Sequence, residues 1–349
     1  MSIRTIDFRY RILRNAVDFC TIRPTSDGWP SLRMDSDAAI RTSMRGTFLP
    51  PAEDVNWMAD EICPEMIIDG TTYSLGVFQP ATVDLINTDT GTALQIEAYD
   101  RSWTVRDSKL TERQYFAAGT NYISAVSSLL VSAGIGMISA TATDLTMPEP
   151  REDWDVGTSR LDIINELLTE IGYRLLWFDA KGMARLEPYE SISAFNIRHS
   201  ISDQDVRSLL LPGMSRQTDV YNSPNVFVAI CSNPDKPAGM IATAENYSGQ
   251  SPISIPRRGR KIVQVTRLNN IASQAELQAY VDRQLTDSLM SGETMIVSTG
   301  LLPGFDTGEV TSLQYGDLFA ICREKAWTME LRVGGTMTHT LEREVINIG

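Results

Sequence analysis

Two Asp-Thr-Gly triplets, Asp89-Thr90-Gly91 and Asp306-Thr307-Gly308, are the residues of this sequence whose types most suggest chemistry. Aspartic proteases use two such triplets, because paired carboxylates that share one proton can activate water. Their aspartates usually follow an apolar strand that buries them. Here Asn87-Thr88 precede the first triplet and Pro303-Gly304-Phe305 the second. Both read as exposed turns, where Asp, Thr and Gly are favoured on their own account. Asp153, Asp155 and Glu187 are carboxylates of the kind a glycosidase pair uses. Charged residues beside turns are also what a surface contains, so that reading stays open.

Other reactive groups are sparse. His199 and His339 are the only histidines, which leaves little for a histidine metal site or a general-base triad. Cys20, Cys63, Cys231 and Cys322 lie far apart without C-x-x-C spacing and read as buried structural thiols. Gly134-Ile135-Gly136, Gly292-Glu293 and Val333-Gly334-Gly335 are caps and turns, and none matches a phosphate-binding loop. Arg257-Arg258-Gly259-Arg260 is the strongest basic cluster. It sits in a Pro/Gly loop of an acidic protein, as a solvated loop or one that meets an acidic partner. Trp154, Trp177 and Trp327 read as core or interface anchors. No catalytic, cofactor-binding or metal-ligating residue is assigned, and no cofactor.

The elements behind these residues are clearest from Trp154 to Tyr189. Thr158 and Ser159 can accept from free helical amides, with Asp162 placed as in a capping box. Leu161, Ile164, Leu168 and Ile171 then recur at helical spacing until Gly172. Tyr173 to Phe178, the turn Asp179 to Gly182 and Met183 to Leu186 form a β-hairpin. A second helix starts at Thr120 and runs through Ile123, Val126, Leu129, Leu130 and Ala133 to Gly134, followed by β-like residues 135 to 147. Residues 1 to about 110 are β-rich, with strands at Phe8 to Cys20, Ser74 to Phe78, Thr82 to Ile86 and Ala93 to Tyr99. Asp69-Gly70 is a turn between strands. Ser191 to Arg207 is polar and irregular, a linker. Strands resume at Asn225 to Ile230 and Ile262 to Thr266. Ser273 with Glu276 then opens a helix with Leu277, Tyr280, Val281, Leu285 and Leu289 on one face, stopped by Gly292. Met295 to Gly300, Leu318 to Cys322, Trp327 to Val333 and Thr338 to Ile346 are the last strands.

A chain of 349 residues exceeds one ordinary core, so two or three domains are expected. A hydrophobic fraction of 42% with 21% charged residues is that of a soluble globular protein. No apolar run reaches the ~20 residues of a membrane span, and nothing at the N-terminus resembles a signal peptide, so folding in a cytoplasm and no stable membrane association are expected. The net charge of -13 argues against gripping nucleic acid by its phosphates. It suits a protein that nucleic acid must pass without sticking.

The first third carries Ile40 to Pro50, Asn56 to Ile68, Gly76 to Phe78 and Glu97 to Asp100. The middle carries Gly119 to Tyr122, Leu129-Leu130, Leu167-Leu168, Ile171 to Tyr173 and Pro188-Tyr189. The last third carries Tyr221 to Val226, Ile255 to Gly259, the Ser273 helix, Gly316-Asp317 and Trp327 to Met337. The order of these pieces resembles the tail hub, or baseplate hub, proteins of long-tailed bacteriophages over nearly the whole chain.

The resemblance implies an α+β, mainly β protein with two tail-tube-like β-barrel domains and a small α/β domain between them. The expected division is 1–110, 111–205 and 206–349, with a soft boundary near 205. It also implies a homotrimeric, non-enzymatic hub at the virion tail tip, assembled in the bacterial host cytoplasm. Such a hub adapts the six-fold tail tube or distal tail ring to the three-fold tip. Its partners would be that ring, the tape-measure protein and tail-tip spike or fibre proteins, with genomic DNA passing through the lumen. A tail-associated peptidoglycan hydrolase or a carbohydrate-binding tip module is the alternative.

Overall fold

The structure, a computed structural model, describes residues 4–26, 28–88, 91–190, 192–217, 223–231, 239–249, 251, 253–268, 271, 273–290 and 293–343. The expected stop at Gly292 and the residues 344–346 of the last predicted strand lie outside them. So do Asp89 and Thr90 of the first triplet, and the side chains of Asp153 and Leu289.

The chain is mainly β, with four sheets, none of which closes into a barrel among the described residues. Fourteen strands, eight within residues 6–100 and six within 197–343, join one sheet. The order starts at Leu210–Gln217 and runs through Glu293–Gly300, Thr336–Arg343 and Leu318–Glu330. It continues through Ser31–Asp35, Thr42–Phe48, Gly91–Asp100 and Phe78–Thr88, then Glu61–Ile68 and Ile6–Arg14, and ends on Val17–Ile22. Thr71–Ser74 pairs with Glu61–Ile68, while Val310–Tyr315 and Ile197–Ser202 branch from Leu318–Glu330.

Leu318–Glu330 makes this continuity. Its first half pairs with Val310–Tyr315, from Leu318↔Tyr315 to Arg323↔Val310. Its second half lies between two strands, so that Trp327 faces His339 on one side and Met34 on the other. The strand alternates buried and outward side chains, as a covered sheet face requires. Its inward residues Ala320, Cys322, Trp327 and Met329 share one core with Tyr10, Leu32, Met34, Phe48 and Ile96, and with Met295, Met337 and Leu341. Phe8 to Cys20 forms a hairpin rather than one strand. Asn15 and Ala16 turn it with φ of 52° and 62°, the positive angles that two-residue hairpin turns need. Asp69-Gly70 does the same between Glu61–Ile68 and Thr71–Ser74, as expected.

The middle segment packs its own core from Val105 to Leu186. Ser159 caps the helix Arg160–Glu170, accepting from the Leu161 amide at 3.2 Å. The other helix, Tyr122–Ser132, is capped by Asn121 and not by Thr120, because the Asn121 carboxamide reaches the Ser124 amide at 3.1 Å. Much of the expected strand content here is loop. A pair the sequence did not signal joins Gln114–Phe116 to Arg151–Trp154, and of the expected strands only Ile138–Ala140, Trp177–Phe178 and Ala184–Leu186 form. The hairpin they form pushes Trp177 into the core of the large sheet.

The expected linker Ser191 to Arg207 contains a strand, Ile197–Ser202, parallel to Val310–Tyr315. Alternation puts Ile201 fully inside, and the polar members find partners, with His199 on Glu309 and the Ser202 amide donating to Ser208. A polar sequence thus serves as a strand once its side chains are satisfied. A third core lies under Gln274–Met290, whose Leu277, Tyr280 and Val281 cover Phe227, Ala229, Ala242 and Ala244 of a three-stranded sheet. Ser273 caps this helix as expected, its Oγ accepting from the Glu276 amide at 3.2 Å.

Because Trp327 is packed where the first and last thirds meet, Trp327→Ala should lower stability by about 3–5 kcal/mol. Denaturant unfolding checks this; a loss below about 1 kcal/mol would show that the junction is not a shared core.

Candidate functional site

Charge gathers where the middle segment meets the large sheet. A cleft of about 430 Å³ there is lined by Arg174, Asp179, Arg185, Glu187, Glu190, Arg198, Asp306 and Glu309, with Trp177 and Pro188. The hairpin and its flanks supply Arg174 to Glu190, the strand Ile197–Ser202 supplies Arg198, and the loop before Val310–Tyr315 supplies Asp306 and Glu309. Arg185 contacts Glu187 at 2.5 Å and Asp179 at 3.8 Å. Arg174 lies 3.7 Å from Glu187, donates to the Thr307 carbonyl, and packs its guanidinium 4.8 Å from the Trp177 ring.

The second triplet is a turn, but it is not exposed. Thr307 is fully buried and Asp306 is mostly covered. Gly308, with φ of 83°, has the Arg174 guanidinium where a Cβ would sit, which explains the glycine. Burial, then the neighbouring Glu309, pushes the Asp306 carboxyl up to about 7, against the pull of Arg174. Glu309 goes the other way. Burial raises it, but the hydrogen bond and charge of His199 and the Asp306 amide hold it below the usual range. Of the first triplet only Gly91 is described, opening a strand.

Both histidines come to this region, a convergence the sequence did not signal. His199 Nε2 donates to the Glu309 carboxylate at 2.8 Å, and the ring stacks on Phe305 with centroids 3.9 Å apart. Phe305 also meets His339, with centroids 4.8 Å apart and the rings tilted by 60°. His339 bridges Glu324 at 3.0 Å through Nδ1 and Thr299 at 3.1 Å through Nε2, all within the core. Burial raises the Glu324 carboxyl, and its Oε1 has no hydrogen-bond partner among the described residues. The alternation of Thr336–Arg343 against Glu293–Gly300 was the available signal, since it makes His339 an inward residue.

The other singled-out residues scatter. Asp155 pairs with Arg113 at 2.7 Å on the surface, away from the carboxylates of the cleft. Trp154 is buried, donating to Glu166 at 2.9 Å below Arg151. Arg151, itself 3% exposed, also holds Glu170 at 2.9 Å. Burial raises Glu170 to about 7 despite Arg151 and Tyr122. The four cysteines are free thiols, three of them buried. Among the described residues, no group of three His, Cys, Asp or Glu could hold a metal ion. No helix of the described residues is long and apolar enough to cross a membrane. Chemically, Asp306 and Glu309 have the split protonation of an acid–base couple. The guanidiniums that face them are engaged with carboxylates or carbonyls, so the arrangement works as a clamp between two parts of the chain.

The fold is that of phage tail proteins. The chain is similar to a tail protein from Neisseria meningitidis MC58, with a TM-score of 0.68 at 13% identity over 97% of each chain. It is also similar to the 43 kDa tail protein of prophage MuSo2 from Shewanella oneidensis, with a TM-score of 0.65 at 9% identity over 96% of this chain and 98% of that one. Prophage tail protein gp18 from Listeria monocytogenes EGD-e matches with a TM-score of 0.61 at 11% identity, over 97% and 95%. No family model and no curated protein sequence matches the chain.

Asp306 supplies a pH test. Its carboxyl holds a proton to higher pH in the folded chain than in the unfolded one, so its contribution to stability is full below the ordinary carboxylate range and is lost as pH rises through about 7. Asp306→Asn, which stays neutral, should therefore gain in melting temperature relative to the parent between pH 5 and pH 8. Parallel pH profiles for the two proteins would contradict the assignment.

Proposed function

We propose that this chain is a structural protein of a phage tail, with three copies forming the hub at the tail tip. The observation that carries the reading is the match of one fold along the whole chain to tail proteins from three different bacteria. In this reading residues 1–110 and 206–349 are the two tube-like units and 111–205 is the appended domain. Most strands of the two tube-like units share one sheet and one core, which suits a rigid adaptor between a six-fold tube or distal tail ring and a three-fold tip. The partners are that ring, the tape-measure protein, and spike or fibre proteins. The protein is built into the virion after assembly in the host cytoplasm.

The net charge of -13 supports a channel wall that phosphates slide past. A clamp of mutually engaged charges at the cleft favours this reading over a hydrolase. Light scattering of the purified chain, with negative-stain images of the same peak, should give three chain masses and a ring with a central hole. A monomer at high concentration that also fails to capture the other tail proteins would overturn the proposal.

A further inference from the structure

The three-stranded sheet of Val226–Cys231, Met240–Glu245 and Val263–Leu268 has one covered face and one bare one. The helix Gln274–Met290 covers Phe227, Ala229, Cys231, Ala242 and Ala244. Successive side chains alternate across a sheet, and the register places Val228 beside Val265 and Ile230 beside Ile241 on the opposite face. There Ile241, Val263 and Val265 are 59%, 52% and 51% exposed. Val263–Leu268 is also an outer strand of its sheet, with an open backbone edge among the described residues. Just before it come the exposed Arg257, Arg260 and Lys261, the last of them paired with Glu245 at 2.6 Å, in a chain with 44 acidic and 31 basic residues.

A second open edge carries the opposite charge. Val17–Ile22 ends the strand order of the large sheet, with Val17 66% and Phe19 37% exposed. The Arg14 guanidinium lies over Phe19 at 3.7 Å and donates to the Asp54 carbonyl, which fixes the 53–60 loop beside this edge. Arg14 is engaged with Asp60, Arg11 with Asp18 and Glu65, and Arg9 also with Glu65, while Glu53, Asp54 and Arg23 are exposed, so five carboxylates here outnumber four guanidiniums. The two edges are far apart in strand order. Val17–Ile22 closes one end, and the small sheet is inserted after Leu210–Gln217, the strand at the other end.

We propose that these edges join copies of the chain, the basic-rimmed apolar strand Val263–Leu268 of one copy lying along the acid-rimmed strand Val17–Ile22 of the next. Open edges that carry exposed aliphatic residues call for cover, and strand addition supplies main-chain hydrogen bonds as well as apolar contact. A joint between two different patches is head-to-tail, the kind that closes into a ring when its rotation allows. A second copy is the occupant because both halves of the joint, with complementary charge, are on one chain. The inference rests on the trimeric reading above and names the contact that builds it.

The test uses V265D and V17D, both at exposed positions, and light scattering of each alone and of a 1:1 mixture. Each variant alone should fall from the trimer to the monomer, with association weakened at least about thirty-fold. The mixture should form dimers, since V17D keeps the basic edge and V265D keeps the acidic one, and that dimer also proves both variants folded. Trimers in either variant, or no dimer in the mixture, would overturn this joint while leaving a trimeric hub intact. A parent chain that stays monomeric at high concentration and also fails to capture the other tail proteins would overturn the trimer and the joint together.

Discussion

The backbone pairing of Leu318–Glu330 is the constraint on which the rest depends. One strand hydrogen-bonds Val310–Tyr315 along its first half, Thr336–Arg343 along its second, and Ser31–Asp35 on the opposite edge of that second half. A backbone donor or acceptor left unpaired inside a protein costs as much as a lost hydrogen bond. Segments nearly three hundred residues apart in sequence are therefore fixed to one another by a ladder, not by side-chain contact alone. Trp327 and Met329 then fill the space beneath, next to Leu32, Met34 and Met337.

The charged cleft follows from that frame. Once Ile197–Ser202 runs beside Val310–Tyr315, His199 is delivered to Glu309 and to the face of Phe305. The hairpin of the middle segment sends Trp177 into the frame core, and Arg174 spans to Thr307. Ser74 Oγ donates to the Ala180 carbonyl at 2.6 Å, and Arg101 bridges Glu61 and the Gly182 carbonyl at 2.7 and 2.9 Å. These are short-range, directional ties between the middle segment and the frame, and buried ones of this kind are costly to break from one side. They suit a part that transmits load better than one that turns over substrate.

Local signals were legible where one element decides its own fate. The Ser273 and Glu276 pair, the helix after Ser159 and the Asp69-Gly70 turn depend on neighbours within a few residues, and each formed. Reading failed where long-range pairing decides. Ile197–Ser202 looks like a linker because His199, Ser200 and Ser202 are polar, and only Glu309 and Ser208, far or near in chain, make it a strand. Glu61–Ile68 is not among the expected strands, yet it is paired on both edges. Asp306 looked exposed because its own neighbours are turn residues. Its burial comes from Arg174 and the hairpin, 132 positions away in the chain by the numbering. The convergence of His199 and His339 on Phe305 is of the same long-range origin.

Native-state hydrogen exchange tests the shared frame most directly. If Leu318–Glu330 makes the first and last thirds one sheet, amides of Ser31–Asp35, Thr42–Phe48 and the second half of Leu318–Glu330 should exchange together, with one opening free energy equal to that of global unfolding. Loss of protection in Ser31–Asp35 and Thr42–Phe48 under conditions where Thr336–Arg343 stays protected would show two independently stable units, and would contradict the account.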